Sequence, residues 1–246
     1  MRSRDLAWDG CLNVRDLGGH PTEDGLETRW RRVVRADSVR ALTDTGWESL
    51  VAHGVELIVD LRSHGEVAAD PPQDVPIQVV HVPVLPEHGD PVWEEIERVA
   101  GSDPGRETEI FYLESLRRWG DRFAEAVAAV ADASEAPVVV HCQGGRDRTG
   151  IVAALLLRLA GVSREDAAAD YALSSARLEP NWRRWVDEAP DDEERERRVR
   201  FSATPAPTML GTLEALEREH GSAAGFLRAY GLSDESVVRA RARLRP

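Results

Sequence analysis

Three short runs of apolar, mostly β-branched residues constrain the fold of this chain most strongly. They lie at residues 57–59, 79–84 and 137–140. Runs of this length without alternation suit strands that are buried on both faces, as in a parallel sheet. Apolar residues within 123–133 recur with the spacing of one helical face, and residues 149–160 are apolar nearly all round and end at Gly161. The pattern predicts an α/β fold with a central, mostly parallel sheet flanked by helices.

Beyond Gly161 the sequence shows helical patterns and no further strand signal. Ser163, with Asp166 three residues later, predicts the start of a helix that runs to about Leu173. Ser and Gly signals open or close three more predicted helices, at residues 207–219, 222–230 and 233–244. The C-terminal part of the chain is therefore predicted to be helical.

The segment at residues 179–200 has two interpretations. It is rich in charge, carries Trp182 and Trp185, and is broken at Ala189-Pro190. A solvated linker would account for the charge. Two tryptophans three residues apart are unusual in a linker and favour a mobile helical cover over a site. The sequence leaves both interpretations open.

The net charge narrows the kinds of partner. The 246 residues include 31 basic and 44 acidic side chains, a formal net charge of −13, so the molecule as a whole repels nucleic acid and anionic membranes. Every basic side chain is an arginine, which excludes a lysine base. The most apolar stretch, residues 151–160, is far shorter than the roughly 20 residues of a membrane span. With no signal peptide visible and two cysteines, Cys11 and Cys142, we expect a cytoplasmic protein with no stable membrane insertion. Export by a route without a signal peptide would leave no mark in the sequence and stays open.

The most informative stretch, residues 140–150, joins the third predicted strand to an apolar helix. It reads Val-His-Cys-Gln-Gly-Gly-Arg-Asp-Arg-Thr-Gly. Glycines allow a loop to turn its backbone N–H groups toward one point, and the following helix adds the partial positive charge of its N-terminus. Arg148, six residues after Cys142, can grip two phosphate oxygens with its planar guanidinium. The predicted phosphate-binding residues are Gln143, Gly144, Gly145, Arg146 and Arg148.

Cys142 stands where it can act as a nucleophile. Convergent N–H donors, a helix N-terminus and a guanidinium all favour the thiolate, so we expect Cys142 to be ionised at neutral pH. It could then attack a phosphate monoester in line and form a phospho-cysteine that water hydrolyses. Thr149 could donate a hydrogen bond to the sulfur, and His141 is expected to brace the loop. A lone cysteine at a strand end can be an inert hydrophobe, but the joint pattern favours catalysis.

The loop resembles the signature loop of the cysteine-dependent protein tyrosine phosphatases. Residues 13–19, which read Asn-Val-Arg-Asp-Leu-Gly-Gly, look like the N-terminal signature of the bacterial type that includes the mycobacterial protein tyrosine phosphatase B. Residues 35–37 and 59–63 are similar to two further blocks of that family, in the same order. The resemblance covers nearly the whole chain. It implies a parallel sheet flanked by helices in a single phosphatase domain over residues 1–246.

The same resemblance implies a division of the C-terminal half and a class of substrate. A helical lid is expected within residues 174–205, and residues 206–246 are expected to pack on the core as helices. The implied substrates are phosphotyrosine proteins, with dual or broader specificity permitted. Because Arg146 beside Arg148 suits a multiply phosphorylated headgroup, phosphoinositides are the alternative. We expect a monomer that needs no cofactor and no metal, since no cluster has ligand spacing.

The general acid is not settled by the sequence. A leaving phenolate needs a proton, and relatives indicate two places to look for its donor. Asp147 lies inside the loop itself, next to Arg148. Glu87 follows the run at 79–84, where other tyrosine phosphatases carry an aspartate on a mobile loop. Asp147 is favoured, and its alternative role is an ion pair that positions Arg146 or Arg148.

Residues of the N-terminal segment are expected to support the catalytic loop. Asn13, Arg15 and Asp16 are expected to brace that loop by hydrogen bonds and ion pairs. Cys11, close by in the sequence, could form a reversible disulfide with Cys142, although an inert buried thiol is the favoured interpretation. Asp60 and Arg62 are expected to pair at a strand end rather than to take part in chemistry.

Two other classes of function use related features. Sulfur transfer of the rhodanese type also places a cysteine loop between a strand and a helix, but its loop is shorter than the spacing from Cys142 to Arg148. A catalytically dead module that binds phosphate would keep the cradle and lose turnover. The presence of Cys142, Arg148 and Thr149 together argues against that second alternative.

Overall fold

The computed structural model describes residues 2–73, 75–101 and 105–245. The strands are β1 (Arg15–Asp16), β2 (Val33–Ala36), β3 (Leu57–Asp60), β4 (Gln78–His81) and β5 (Val138–His141). The α-helices are α1 (Asp44–Ala52), α2 (His64–Ala69), α3 (Val92–Ala100), α4 (Glu107–Asp132), α5 (Asp147–Leu159), α6 (Arg164–Asp187), α7 (Asp192–Ser202), α8 (Ala206–His220), α9 (Ala223–Ala229) and α10 (Asp234–Leu244). A 3-10 turn spans Val39–Ala41.

The five strands form one sheet in the order β1-β2-β5-β3-β4. Strands β2, β5, β3 and β4 pair in parallel, and the two-residue β1 pairs antiparallel with β2. The predicted α/β fold with a mostly parallel sheet is thus confirmed. Because β5 lies between β2 and β3, the loop that follows it leaves the middle of the sheet at its carboxyl edge, where ligands bind in open α/β sheets.

The lack of alternation in β5 reflects burial on both faces of the sheet. Val138 and Val140 belong to the larger core cluster, which α4, α5 and the C-terminal helices complete. Val139 belongs to a second cluster on the other face, with Trp47 and Leu50 of α1. A strand that faces two cores needs apolar side chains at every position, as the sequence indicated.

The prediction was wrong for the second apolar run, which was expected to be a strand buried on both faces. Strand β4 ends at His81, and all its residues are partly or fully exposed. It lies at the edge of the sheet, so one side has no neighbouring strand. Val82 and Val84 are buried beyond the strand end. Strands β1 and β2 were not predicted, because β1 is very short and β2 contains the charged Arg35.

Two helices are longer than the periodicity indicated. The apolar stripe that begins at Phe123 covers the last part of helix α4, which begins at Glu107 and is kinked at Trp119, where the backbone is not helical. Helix α6 was expected to end near Leu173. It continues to Asp187 with Pro180 inside, and Leu178 in this extension is still buried.

The other boundaries agree with the predictions. Helix α5 is buried nearly all round, Gly161 after it has a φ of +86°, and the Ser163 hydroxyl caps α6 by accepting from the Asp166 amide at 3.0 Å. Helices α8, α9 and α10 begin and end within one residue of their predicted bounds. The break at Ala189-Pro190 separates α6 from α7. Within the described ranges, the helices are too short or too polar to cross a membrane.

Candidate active site

The predicted catalytic loop joins β5 to α5. Cys142 directly follows His141, the last residue of β5, and is only 2% exposed. Asp147 is the first residue of α5, so the loop between them feeds straight into the N-terminus of a buried helix. An anion above the loop would therefore meet the partial positive charge of that helix end.

Partners outside the loop pull its carbonyl oxygens to one side. The Ser38 amide donates to the Gln143 carbonyl at 3.0 Å. The Asn13 side-chain amide donates to the carbonyls of Gly144 and Gly145, at 3.2 and 3.1 Å. Peptides in the described chain are trans, and a trans peptide points its N–H opposite to its carbonyl. The amides that follow these three carbonyls therefore face the other side of the loop, which makes an anion cradle.

Gly145 is required at its position. Its φ is +62°, a conformation that favours glycine. A Cβ there would lie 2.4 Å from the carbonyl oxygen of Ala36 in β2. The Arg35 guanidinium also donates to the Gly145 carbonyl at 2.7 Å. The block at residues 35–37 thus supports the floor of the loop.

A buried ionic network holds these supports in place. The Asp170 carboxylate on α6 accepts from Arg15 at 2.9 Å and from Arg35 at 2.7 Å. Arg15 also donates to the Asn13 side-chain oxygen at 2.6 Å, and Ser174 accepts from it at 3.2 Å. Burial raises the pKa of Asp170, but Arg15 and Arg35 more than offset this and hold it well below its ordinary value. The carboxylate thereby fixes both arginines.

Sequence reasoning missed Asp170, although a signal was present. Asp170 lies on the buried face of α6 beside Ala167 and Tyr171. A carboxylate on an apolar helix face needs a buried cation or hydrogen-bond donors. That requirement could have directed attention to the two arginines of the N-terminal segments.

Arg148 is oriented by Glu66, a second residue that the sequence analysis missed. Its two terminal nitrogens donate to the two carboxylate oxygens of Glu66 at 2.5 and 2.8 Å. Glu66 belongs to the capping box of α2 with Ser63, a pattern readable from Ser-x-x-Glu. Burial disfavours the charge on Arg148, yet Cys142 and Glu66 together raise its pKa. Two of its five N–H donors are engaged by Glu66, and the rest can serve a phosphate.

Asp147 accepts hydrogen bonds from two neighbours. The Tyr112 hydroxyl of α4 donates to one of its oxygens, and Tyr112 lies 2.8 Å from the Tyr171 hydroxyl. The Arg146 guanidinium donates to the Asp147 carboxylate at 3.0 Å. Burial raises the pKa of Tyr112 well above its ordinary value, and the charge of Asp147 adds to this, so the phenol stays a donor.

Arg146 also reaches the segment that was interpreted as a cover. Its terminal nitrogen donates to the Phe201 carbonyl of α7 at 2.6 Å. Its guanidinium lies 4.9 Å from the centroid of the Phe201 ring and 5.6 Å from that of Trp182. Trp182, Trp185 and Phe201 contact one another with ring centroids 5.8 to 6.1 Å apart. The segment at 179–200 is therefore a helical pair in contact with the loop, which disagrees with the solvated-linker interpretation.

Glu87, the alternative acid, lies at the N-terminus of α2. Its carboxylate accepts from the Gly65 amide at 2.9 Å, and this hydrogen bond is the main reason that its pKa is lowered. A lowered pKa disfavours the protonated form that a general acid requires. The observed contact of Glu87 is thus with the N-terminus of α2, the helix that carries Glu66.

His141 and Thr149 flank the nucleophile. The His141 imidazole Nδ1 lies 3.1 Å from the Cys142 carbonyl oxygen, and burial lowers the pKa of His141. This arrangement is typical of a neutral histidine that braces the loop. The Thr149 hydroxyl is buried and has no hydrogen-bond partner among the residues that the structure describes. It is free to donate to a ligand or to the sulfur.

The other candidate residues, Asp60, Arg62 and Cys11, contact groups that support the fold. Arg62 pairs with Asp60 at 2.7 Å in a buried ion pair at the end of β3. Cys11 is unpaired and donates its thiol to the Ser38 carbonyl at 3.4 Å, and burial, with Asp37, raises its pKa. A raised pKa disfavours the thiolate that disulfide exchange requires. In the described part of the chain, no group of three or more His, Cys, Asp or Glu side chains is arranged to hold a metal ion.

The sequence of the chain is similar to proteins of known function. The profile of the tyrosine phosphatase family matches residues 6–246. A tyrosine-protein phosphatase of Nostoc commune is 28% identical over 86% of this chain and 73% of its own length. The triple specificity protein phosphatase PtpB of Mycobacterium tuberculosis is 27% identical over 98% of both chains. A solved structure, TpbA of P. aeruginosa, is 20% identical over 73% of this chain and 85% of that chain, with a TM-score of 0.29. The relationship to tyrosine phosphatases rests on the sequence match over residues 6–246 and not on the likeness to TpbA.

Proposed function

Because the chain belongs to the tyrosine phosphatase family, it is a phosphomonoester hydrolase, and we propose that it cleaves phosphotyrosine through a phospho-cysteine on Cys142. One observation carries this proposal. The carbonyls of the loop after Cys142 are engaged by Ser38, Asn13 and Arg35, which leaves the amides that follow them turned away from these partners, beside a buried cysteine. Such a cradle binds the oxygens of a phosphate and stabilises a sulfur anion beneath it.

The first chemical step transfers the phosphoryl group to the enzyme. Arg148 and the loop amides hold the non-bridging oxygens, and the Cys142 thiolate attacks phosphorus opposite the ester oxygen. A sulfur–phosphorus bond forms while the bond from phosphorus to the ester oxygen breaks. The proton for the leaving phenolate comes from the carboxyl group of Asp147.

The second step returns the enzyme to its starting state. A water molecule gives a proton to the Asp147 carboxylate and attacks the phosphorus of the phospho-cysteine. The sulfur–phosphorus bond breaks, which releases inorganic phosphate and restores the thiolate of Cys142. The unpartnered hydroxyl of Thr149 is suited to donate to that thiolate and make it a better leaving group.

The geometry favours a phosphotyrosine protein over a phosphoinositide. The phosphoinositide alternative depended on a second arginine, Arg146, for a further phosphate. That guanidinium is already engaged by the Phe201 carbonyl, by Asp147 and by aromatic rings. Hydrolysis of a phosphotyrosine peptide, compared with a soluble phosphoinositide on one enzyme preparation, tests the choice. A higher kcat/KM for the phosphoinositide would overturn it.

Two substitutions test the covalent mechanism. Cys142→Ser should abolish turnover and keep affinity for a phosphotyrosine peptide, because the cradle is unchanged. Arg148→Ala should lose both. Trapping of a phosphorylated enzyme by rapid acid quench should succeed in the native protein and fail in Cys142→Ser. Substantial hydrolysis by Cys142→Ser would contradict the mechanism.

The assignment of the acid has its own test. Asp147→Asn should lower kcat by about 10² or more for an ester with a poor leaving group, and far less for one with a good leaving group. Glu87→Gln should lower both rates equally or not at all. The opposite pattern would transfer the role to Glu87.

We also propose one phosphatase domain over residues 1–246, with residues 174–205 as a cover segment. The family match over 6–246 supports the single domain. The packing of α8 and α10 residues into the same core as β5 supports it as well. Contact between Phe201 and Arg146 supports the role of the cover. Limited proteolysis should cut at the α6–α7 junction before any other site, and more slowly when vanadate occupies the loop.

A further inference from the structure

One arginine of the catalytic loop is shared between the cover segment and the catalytic acid. Arg146 donates through one terminal nitrogen to the Phe201 carbonyl at 2.6 Å, and through Nε to Asp147 at 3.0 Å. The guanidinium is planar and rigid, so these two hydrogen bonds are not independent. A shift of α7 therefore moves the group that holds Asp147.

Aromatic rings of the cover fix the guanidinium further. The Phe201 ring lies 4.9 Å and the Trp182 ring 5.6 Å from it, distances at which a cation is attracted to an aromatic face. Trp185 packs on both rings, and Arg198 lies 4.8 Å over Trp185. We call Trp182, Trp185 and Phe201, with Arg146, the aromatic clasp.

Asp147 is confined from its other side as well. The Tyr112 hydroxyl donates to it, and the Tyr112 ring is completely buried. Among the residues that the structure describes, the other side chain that donates a hydrogen bond to Asp147 is Arg146. Arg146 therefore links the orientation of Asp147 to the aromatic clasp.

We propose that the aromatic clasp positions the general acid, so that closure of the cover segment and orientation of Asp147 are one event. Phe201 is then a positioning residue for catalysis, although it lies 54 positions from Asp147 in the sequence and on another helix. This inference rests on the proposed function, because it requires Asp147 to transfer the proton.

The test replaces Phe201 by alanine and measures kcat for the hydrolysis of two esters. Phenyl phosphate has a leaving group about as basic as tyrosine and needs the acid, whereas 4-nitrophenyl phosphate needs it much less. Phe201→Ala keeps the carbonyl that accepts from Arg146 but removes the ring beside the guanidinium. It should lower kcat for phenyl phosphate by about 10-fold or more, since small displacements of a catalytic group are costly. The kcat for 4-nitrophenyl phosphate should change by less than about 3-fold.

The chain offers a matched control. Val199 lies on the same helix and is 49% exposed, against 50% for Phe201, and it has no ring to place on Arg146. Val199→Ala should leave both rates unchanged. Because Phe201 is half exposed, its replacement should not unfold the protein, and circular dichroism checks this. An equal loss for both esters in Phe201→Ala would reduce the clasp to a structural contact and overturn the proposal.

A double-mutant cycle separates failure of the clasp from failure of the proposed acid. In the Asp147→Asn background, Phe201→Ala should cause no further loss with phenyl phosphate, because the group that it positions is gone. If Asp147→Asn leaves kcat for phenyl phosphate unchanged, the assignment of Asp147 as the acid has failed. If Asp147→Asn lowers kcat for phenyl phosphate and Phe201→Ala does not, the clasp proposal has failed while the proposed function stands. The same conclusion follows if the losses from the two substitutions multiply in the double variant.

Discussion

Replacement of Asp170 by asparagine should destabilise this protein and impair its catalytic loop together. The carboxylate is fully buried and accepts hydrogen bonds from Arg15 and Arg35, which lie at 0% and 1% side-chain exposure. Asparagine has the same shape and no charge. The substitution would remove the negative charge that the two buried guanidinium groups share.

The expected size follows from that burial. Breaking a buried pair by removing one partner costs about 3–5 kcal/mol, a large part of the roughly 5–15 kcal/mol that stabilises a typical domain. Arg35 also donates to the Gly145 carbonyl, and Arg15 donates to Asn13, which braces the same loop. A fall in kcat/KM should therefore accompany the loss of stability.

Urea unfolding followed by tryptophan fluorescence measures the effect. The midpoint should fall while the dependence on urea stays the same, since the surface exposed on unfolding does not change. Asp234→Asn is the control, because Asp234 pairs with Arg228 at 2.6 Å on the surface. That exposed pair should contribute no more than about 1 kcal/mol.

The result that would refute the reasoning is a loss from Asp170→Asn no larger than that from Asp234→Asn. If Asp170→Asn does not fold, Ser174→Ala provides a milder test, because Ser174 accepts one hydrogen bond from Arg15 at 3.2 Å. Its expected cost is about 1 kcal/mol. Low pH should also destabilise the protein. The pKa of Asp170 is lower in the folded state than its ordinary 3.8. The stabilisation by this carboxylate is therefore present above that pH and is lost as the pH falls below it.

Three further outcomes are expected. Glu66→Gln keeps the cap of α2 but weakens the paired hydrogen bonds to Arg148. The value of kcat/KM should therefore fall about 10-fold while the free energy of unfolding stays the same. Full activity would contradict the role of Glu66. Burial, with help from Arg31 and Arg2, lowers the pKa of His53 from 6.5 to about 4. The free energy of unfolding should therefore decrease as pH falls from about 6.5 to 4. His53→Gln should reduce this dependence on pH. Dialysis against EDTA should leave activity unchanged, and recovery of a lost activity by added metal would reveal a metal dependence.

The sequence by itself determined the features that arise from neighbouring residues. Apolar runs without alternation predicted the parallel sheet, and β5 is buried on both faces as that pattern requires. The loop from Cys142 to Arg148 was predicted to join a strand to a helix, and it lies between β5 and α5. Caps and glycines located the C-terminal helices within one residue. Such signals depend on local periodicity and backbone conformation, which a few adjacent residues fix.

Tertiary structure alone decided which side chains meet at the loop. Arg15 reaches Asp170 across 155 positions, and Arg148 reaches Glu66 across 82. The clasp joins Arg146 to Phe201 across 55. A buried charge shows in a sequence only that a partner is needed, because many arginines and carboxylates could supply it. Which of them does is fixed by the packing of α2, α6 and α7 around the sheet, and local sequence patterns do not encode that packing.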